Sequence, residues 1–170
     1  LLYGLILASG NDCAIAIAEY FGGEEKFVDM MNDFAISLNL TNTHFDNATG
    51  LDDTSDTHLT TARDIAKMSV ELMKHDIIQN YTTVWMDSIR NGEFGLTNTN
   101  KLIRFYDGAT GLKTGYTSQS KYCISATAQK NGMELIAVIM AGESSDKRNA
   151  DAKTLLNYGK ELDIANYSEL

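Results

Sequence analysis

The most informative stretch of this 170-residue sequence is Gly111-Leu112-Lys113-Thr114-Gly115-Tyr116-Thr117. It ends a loop and is predicted to open a β-strand. Along one strand edge it places the Lys113 ammonium, the Thr114 hydroxyl and the side-chain-free backbone of Gly115, a combination suited to holding a terminal carboxylate. A second motif, Ser9-Gly10-Asn11, lies upstream. Two ordered motifs carry more weight than one, so we treat them together as a candidate site.

The composition predicts one folded domain that acts on a small substrate. The chain is 44% hydrophobic, which suffices for one core and is typical of neither disordered nor fibrous chains. Its 23 acidic and 14 basic residues leave a net charge of -9. This charge disfavours binding to a nucleic-acid backbone or to an anionic membrane surface.

The cysteines and histidines show no pattern of a metal site. Cys13 and Cys123 lie in apolar surroundings without a C-x-x-C spacing, which favours buried free thiols, although a disulfide is compatible with the sequence. His44, His58 and His75 share no metal-ligand spacing and are assigned to loop or surface positions. We therefore predict no metal and no cofactor.

The beginning of the chain is predicted to be helical. Segment 1–8 is apolar but too short to span a bilayer, and we interpret it as the end of a core helix that runs into the Ser-Gly-Asn turn. Apolar residues spaced i, i+3, i+4 and i+7 predict a second helix after this turn. Asn11 or Asp12 is expected to cap that helix, and Gly22-Gly23 is expected to end it.

A further helix, a loop and another helix follow. Residues 24–39 carry an unbroken apolar stripe from Phe27 to Leu38, which predicts a helix with one buried face. Residues 41–59 are rich in turn formers and predict a long ordered loop, a feature that is often functional in compact domains. Thr61-Ala62-Arg63-Asp64 matches a capping box, with Asp64 as the capping acid of a helix that ends near His75.

The rest of the chain is predicted to be antiparallel sheet closed by a helix. Five strands are expected, at 82–86, 93–97, 111–117, 122–129 and 133–141. The first two form a hairpin around Asn91-Gly92, and the last three form a meander with a turn at Asn131-Gly132. The final helix is expected to pack on this meander through Ala152, Leu155, Leu156, Gly159 and Leu162. Helices followed by antiparallel strands predict an α+β fold.

Four motifs occur in a specific order along the chain. They are Ser9-Gly10-Asn11, the loop motif from His44 to Asp53, Thr61-Ala62-Arg63-Asp64 and the stretch 111–117. In this order the chain resembles the D-alanyl-D-alanine carboxypeptidases, the low-molecular-weight penicillin-binding proteins. The resemblance implies a serine-type hydrolase that removes terminal D-Ala from peptidoglycan stem peptides through an acyl-enzyme. It also implies an extracytoplasmic location, and β-lactam binding by the intact enzyme.

The resemblance carries an expectation about fold and domain boundaries. It implies an incomplete β-lactamase/transpeptidase-like fold over residues 1–163, with a helical subdomain and an antiparallel sheet closed by the C-terminal helix. Residues 1–80 would be the mainly helical part, and residues 81–163 would hold the hairpin, the meander and the final helix. Residues 164–170 would be a tail toward a possible accessory domain.

The resemblance assigns Ser9, Asn11 and Lys113 to catalysis. Ser9 would relay a proton toward the leaving amine, and Asn11 would donate a hydrogen bond to the amide carbonyl of the substrate. The backbone N–H of Tyr116 would supply one half of an oxyanion hole. A plain helix N-cap is the simpler alternative for Ser9 and Asn11.

The same resemblance assigns five residues to substrate binding, namely Lys113, Thr114, Gly115, Tyr116 and Arg148. Lys113, Thr114 and Gly115 would hold the substrate carboxylate, and Lys113 would also support Ser9 electrostatically. Arg148 lies in a matching context at the start of the final helix. It is a candidate for the carboxylate, and it fits a solvated helix residue equally well.

The sequence departs from the family pattern at the nucleophile. The family carries Ser-x-x-Lys upstream of Ser-Gly-Asn, and only residues 1–8 precede that motif here. We expect the nucleophile and its lysine to lie outside this chain, and the chain to be inactive alone. Ser118-Gln119-Ser120-Lys121 and Ser144-Ser145-Asp146-Lys147 match the pattern, but both follow Lys-Thr-Gly and are expected by chance.

Two other functions are compatible with the motifs. A class A β-lactamase shares their order, but it would need Glu-x-x-Leu-Asn, and Glu93-Phe94-Gly95-Leu96 is followed here by Thr97. A non-catalytic wall-binding module that kept the groove and lost the chemistry belongs to a different class. The carboxypeptidase is the interpretation that the motifs favour.

Two structural expectations follow from the resemblance. In the intact enzyme Lys113 and Ser9 should lie within hydrogen-bonding reach across one groove, and this chain is expected to hold them further apart. The strand at 133–140 would lack an N-terminal neighbour. Because unpaired strand edges recruit other strands, self-association through this edge is expected.

Overall fold

The structure is a computed structural model that describes residues 1–51, 55–130 and 132–161. Its first half contains α1 (Leu2–Ala8), α2 (Asn11–Tyr20), α3 (Glu24–Ser37), α4 (Ala62–Met73), a 3-10 turn (Asp76–Ile78) and the short α5 (Gln79–Thr82). Its second half contains β1 (Met86–Ile89), β2 (Phe94–Thr97), the short α6 (Leu102–Phe105), β3 (Ala109–Thr117), β4 (Lys121–Lys130), β5 (Met133–Gly142) and α7 (Ser145–Glu161). The predicted α+β fold is confirmed.

The main sheet is the predicted antiparallel meander, in the order β3-β4-β5. The register places Lys113 opposite Ser125 and Tyr116 opposite Tyr122. A separate hairpin pairs β1 with β2. Antiparallel neighbours need only short turns, which explains why local turn signals predicted this topology. The predicted turn at residues 131–132 has its first residue outside the described part of the chain.

The core lies between the meander and α7. It is a cluster of seven buried residues, namely Leu102, Ile124, Ala126, Ala128, Ala137, Ala152 and Leu156. Alternate residues of β4 point into this cluster, as the two-residue period of a strand requires. In α7, Ala152 and Leu156 are buried as predicted, whereas Leu155 is 47% exposed. One helical step rotates a side chain by about 100°, so Leu155 turns away from the sheet. Leu162 lies outside the described residues.

Helix α4 packs on the opposite face of the meander. Ser125 lies between two core residues of β4 and therefore points away from α7. Its Oγ lies 2.7 Å from Oγ of Ser69 in α4, and both side chains are buried. The sheet is thus covered by one helix on each face.

The predicted strand at 82–86 is wrong. Helix α5 extends to Thr82, and β1 begins only at Met86. The side-chain amide of Asn98 donates to the Thr82 and Val84 carbonyl oxygens, at 3.2 and 2.9 Å. Because a buried asparagine binds these carbonyls, they are not available for a strand ladder.

The capping residue expected for α2 is wrong, and the apolar stripe expected in α3 is only partly covered. Gly10 is the N-cap residue of α2, without a side-chain cap hydrogen bond, so neither Asn11 nor Asp12 caps this helix. In α3 the apolar stripe is only partly covered. Ala35 is buried, and Phe27, Met31 and Leu38 are half-buried, whereas Met30 is 43% and Phe34 56% exposed. The amphipathic period set the helix correctly, but it did not determine how much of the stripe finds a packing partner.

The capping prediction at Thr61 is confirmed, and the role of Asp64 is different from the one predicted. Thr61 Oγ1 accepts a hydrogen bond from the Asp64 backbone N–H at 3.1 Å. The Asp64 carboxylate is buried and instead accepts from the Asn42 N–H at 3.1 Å and from Thr43 Oγ1 at 3.0 Å. It therefore anchors the long loop to α4. Residues 52–54 of that loop lie outside the described part of the chain.

Cys13 and Cys123 are free thiols, as predicted, although both are only partly buried. No helix in the described ranges combines the length and the apolar composition that crossing a membrane requires. The boundaries proposed for the domain, 1–163 with a tail at 164–170, stay a prediction, because residues 162–170 lie outside the described ranges.

Candidate active site

The two motifs meet at one place, and we call the surface beside Ser9, Lys113 and Thr114 the groove. Lys113 Nζ donates a hydrogen bond of 2.7 Å to Ser9 Oγ and another of 2.7 Å to the Thr114 carbonyl oxygen. Ser9 and Lys113 are 104 residues apart in the sequence. The expectation that this chain holds the two side chains further apart is therefore wrong.

The turn that presents Ser9 is set by a close approach of α1 and α2. Ser9 ends α1 in the left-handed conformation, with φ 56°, and the Gly10 N–H donates to the Gly4 carbonyl oxygen at 3.0 Å. A Cβ at Gly4 would lie 2.5 Å from Cys13 Sγ, closer than side-chain atoms pack. Glycine at position 4 thus allows α2 to fold back on α1, and the exposed Ser9 hydroxyl projects from the tight link.

The pKa of Lys113 is shifted in a way that fits a site for an anion. Burial, together with the positive charge of Arg148, lowers the pKa of Lys113 to about 8. The Arg148 side chain is itself buried, and burial lowers its pKa as well. Within the described ranges neither cation has a carboxylate at ion-pair distance. Two cations without a protein anion favour binding of an anionic ligand.

Arg148 is held by neutral acceptors. Its guanidinium donates to Asn149 Oδ1 at 3.2 and 3.0 Å and to the Cys123 carbonyl oxygen at 3.4 Å. Gly142 permits this placement, because a Cβ there would lie 3.1 Å from the Arg148 Cβ. The prediction of a solvated helix residue does not describe Arg148, which is only 5% exposed.

Thr114 belongs to a hydrogen-bonded link that sequence reasoning missed. Its Oγ1 lies 2.7 Å from Oγ1 of Thr99, and the Thr99 backbone N–H donates to the Leu7 carbonyl oxygen at 2.9 Å. Asn98 and Asn100, on either side of Thr99, are almost fully buried. The signal available in the sequence was the Asn-Thr-Asn run, because buried asparagines need several specific partners.

The remaining candidates line the same strand and turn. Gly115 is exposed, and a Cβ there would meet only the Cys123 Cβ at 4.0 Å, so the strand edge is open. The Tyr116 ring is 58% exposed and packs on Tyr122, with 4.5 Å between centroids. Asn11 is exposed in the first turn of α2. In the described part of the chain, no side-chain hydrogen bond joins Asn11 or Tyr116 to Ser9 or Lys113.

One of the two chance Ser-x-x-Lys matches has a clear structural role. Ser144 Oγ accepts from the Lys147 backbone N–H at 3.1 Å, at the start of α7. In the other match, residues 118–120 lie in the turn between β3 and β4, and Lys121 begins β4. Among the residues with described positions, no group of three or more His, Cys, Asp or Glu side chains is arranged to hold a metal ion.

A helix-covered antiparallel sheet, with Ser-Gly-Asn and Lys-Thr-Gly joined across a groove, defines the class of penicillin-binding, serine-type peptidases. The D-alanyl-D-alanine carboxypeptidase family profile matches residues 1–144. This chain belongs to that family. The match includes Ser9, Lys113 and every strand of the meander.

Individual relatives agree with this assignment. The chain is 43% identical over 162 residues to the D-alanyl-D-alanine carboxypeptidase DacF of Bacillus subtilis, covering 93% of this chain and 41% of DacF. It is 34% identical over 175 residues to the D-alanyl-D-alanine carboxypeptidase of Streptomyces strain K15, covering 94% and 59%. The chain therefore spans roughly half the length of these relatives.

Solved structures show the same fold. The crystal structure of the Streptomyces K15 DD-transpeptidase superposes with a TM-score of 0.87 at 32% identity, covering 94% of this chain and 66% of that one. Penicillin-binding protein D2 of Listeria monocytogenes, solved in an ampicillin-bound form, superposes with a TM-score of 0.86 at 28% identity. That alignment covers 94% of this chain and 65% of the Listeria chain. These values support the penicillin-binding-protein fold expected from the motifs.

Proposed function

We propose that this chain forms the carboxylate-binding side of the active site of a serine-type D-Ala-D-Ala carboxypeptidase. The observation that carries the proposal is the 2.7 Å hydrogen bond between Lys113 Nζ and Ser9 Oγ. Family membership alone supports the chemistry in general terms. The hydrogen bond adds that the two motifs of this chain form one arrangement of side chains.

Recognition of the substrate begins with its terminal carboxylate. Lys113 would attract it as a cation, Thr114 would donate a hydroxyl hydrogen bond, and the open backbone at Gly115 would let the peptide lie along β3. Arg148, whose positive charge helps to lower the pKa of Lys113, adds a second positive charge. Because the groove is partly buried, these charges are screened less by water than surface charges are.

The reaction would be acyl transfer. A serine oxygen attacks the carbonyl of the penultimate D-Ala, the C–N bond to the terminal D-Ala breaks, and the leaving amine takes a proton relayed by Ser9. Asn11 would orient the substrate amide, and the Tyr116 N–H would stabilise the oxyanion. Water then hydrolyses the acyl-enzyme. By family resemblance, the attacking serine belongs to a Ser-x-x-Lys motif that precedes Ser9.

Labelling with penicillin tests this assignment. The 170-residue chain alone should form no stable adduct, because acylation needs a positioned nucleophile. Supplying the Ser-x-x-Lys segment that precedes Ser9 in the family, fused or as a separate chain, should produce labelling. In that protein Lys113→Ala should lower the labelling rate by about 10²-fold, as loss of a charged transition-state partner does.

Lys147→Ala is the matched control, because it removes a lysine of the same chain that is exposed at the surface and pairs with Asp151. It should leave labelling unchanged. Mass spectrometry that finds a penicilloyl group on Ser9, Ser118 or Ser144 of the 170-residue chain would contradict the assignment. Absence of labelling after the segment is supplied would contradict it too.

The same proposal covers the substrate of the chain, its location and its self-association. Its substrate would be a peptidoglycan stem peptide that ends in D-Ala-D-Ala, and it would act outside the cytoplasm. The outer edge of β5 would support self-association, since no strand in the described ranges pairs with β5 on the side away from β4. The family assignment supports the first statement, and the sheet order supports the second.

A further inference from the structure

Thr99 lies between the two motifs without belonging to either. Its backbone N–H donates to the carbonyl oxygen of Leu7, two residues before Ser9, at 2.9 Å. Its hydroxyl oxygen lies 2.7 Å from that of Thr114, next to Lys113. A single exposed residue thus contacts both sides of the groove.

The segment that carries Thr99 is held rigidly. Asn98 is 3% exposed, and its amide donates to the Val84 carbonyl oxygen at 2.9 Å. Asn100 is 1% exposed, and its amide donates to the Gly111 carbonyl oxygen at 2.8 Å. The Asn98 Oδ1 also accepts from the Asn100 backbone N–H at 2.9 Å. Buried amides with this many partners restrict motion, so the position of Thr99 relative to β3 is well defined.

The number of protons on the Thr99 and Thr114 hydroxyls determines which of them can donate a hydrogen bond to a ligand. Each hydroxyl has one proton, and the hydrogen bond between them uses one of the two. If Thr114 donated to Thr99, Thr114 would have no proton left for a ligand. If Thr99 donates, the Thr114 proton is free to point at an anion beside Lys113. A carboxylate in the groove therefore selects the arrangement in which Thr99 is the donor.

We propose that Thr99 is a positioning residue for carboxylate recognition, which donates to Thr114 Oγ1 and so directs the Thr114 hydroxyl proton at the terminal carboxylate. The inference rests on the proposed function, because it requires the carboxylate to bind at Thr114. Hydrogen bonds in series polarise one another, so the Thr99 donor also strengthens the bond from Thr114 to the ligand. Thr99 itself does not touch the ligand.

Binding of a minimal ligand to the 170-residue chain tests the inference. N-acetyl-D-alanyl-D-alanine and its carboxamide are titrated and followed by NMR near neutral pH. Thr99→Val should weaken binding of the acid by about three- to tenfold, which is the usual net effect of one hydrogen bond. It should leave carboxamide binding unchanged. Thr99→Ser keeps the hydroxyl and should bind the acid within about twofold of the unchanged chain.

A double-mutant cycle separates positioning from a general structural effect. If Thr99 acts through Thr114, then Thr99→Val should have no further effect in a Thr114→Val background. An equal loss in both backgrounds would overturn the inference. Thr97→Val, at an exposed position two residues away, is the matched control and should not change binding. If Thr99→Val does not fold, the pair Thr99→Ala and Thr99→Ser gives the same comparison.

The outcomes distinguish this inference from the proposed function. If the unchanged chain prefers the acid over the carboxamide and Thr99→Val keeps that preference in full, the positioning role alone is overturned. If the unchanged chain shows no preference for the acid, the carboxylate-binding function fails, and the role of Thr99 fails with it. Loss of acid binding by Thr99→Val, restored by Thr99→Ser, supports both.

Discussion

Lys113 is the residue whose chemistry depends most on the fold. On an exposed strand its ammonium would keep the ordinary pKa of 10.5, but burial and the nearby Arg148 guanidinium lower that pKa to about 8. With a pKa of about 8, the Lys113 side chain is still mainly charged at neutral pH, and it loses its proton at slightly alkaline pH. The fold also places Lys113 Nζ 2.7 Å from Ser9 Oγ, to which it donates a hydrogen bond.

This pKa predicts how carboxylate binding depends on pH. Below about pH 7 Lys113 is an ammonium, so affinity for N-acetyl-D-alanyl-D-alanine should be constant. Above pH 8 the free protein must first take up a proton to bind, and affinity should fall toward about tenfold per pH unit. Isothermal titration calorimetry at several pH values between about pH 6 and pH 9.5 measures this fall in affinity.

Lys113→Met is the control for the pH profile. It should bind the acid more weakly throughout, and its affinity should depend far less on pH between about pH 7 and pH 9.5, because the lysine that titrates in this range has been removed. An unchanged chain whose affinity is flat across this range would show that another group holds the carboxylate. If the affinity of Lys113→Met for the acid still fell with rising pH, another group would likewise be responsible for the pH dependence.

At the scale of elements, α4 and β4 are joined by a buried pair of serines. Ser69 donates its hydroxyl proton to the Ile65 carbonyl oxygen at 2.8 Å, so in the 2.7 Å contact with Ser125 it must act as acceptor. Ser125 therefore depends on Ser69 for its partner, whereas Ser69 keeps Ile65 if Ser125 is removed. The two hydroxyls are equivalent in sequence and different in the fold.

This asymmetry predicts two different losses of stability. Ser69→Ala leaves the buried Ser125 hydroxyl without its acceptor and should lower the free energy of unfolding by about 1–3 kcal/mol. Ser125→Ala removes one hydrogen bond and should cost about 0.5–1.5 kcal/mol. Urea unfolding of both variants and of the double variant measures these values. The double variant should be no less stable than Ser69→Ala, and equal losses for the two single variants would contradict the assignment of donor and acceptor.

At the scale of the whole molecule, the two edge strands of the meander, β3 and β5, have different neighbours. β3 borders the groove, and β5 has no partner strand in the described ranges on its outer side. The chain also spans 41% of DacF, so the fold of this relative includes much that is not in the 170 residues. An apolar strand with free N–H and C=O groups is a template for pairing.

Self-association through β5 is therefore expected of the 170-residue chain. Sedimentation velocity at increasing concentration should show a shift from monomer to a larger species. Met140→Lys should reduce this shift, because Met140 is 37% exposed on β5 and lysine on an edge strand opposes pairing. Met86→Lys, at a 64% exposed position of β1, is the matched control and should not change it. A strict monomer at high concentration would remove this proposal.

The sequence by itself determined helices α1 to α4 and α7, the meander and the two motifs that point to carboxylate chemistry, but not the short helices α5 and α6. These features follow from local rules, because helical and strand periods, glycine turns and caps involve residues within a few positions of each other. Helix α4 with its Thr61 cap and strands β3 to β5 were predicted for this reason. The roles of the individual site residues stay predictions that the experiments above address.

Only the tertiary structure decided which predicted faces are buried and which distant groups meet. Asn98 binds carbonyls of residues 82 and 84, where a strand was predicted, and Met30 and Phe34 of the α3 stripe stay exposed. The contact of Ser9 with Lys113 joins residues 104 positions apart, and Thr99 links Leu7 to Thr114. Such contacts depend on the surfaces that come together when the whole chain packs, and no local period or motif contains that information.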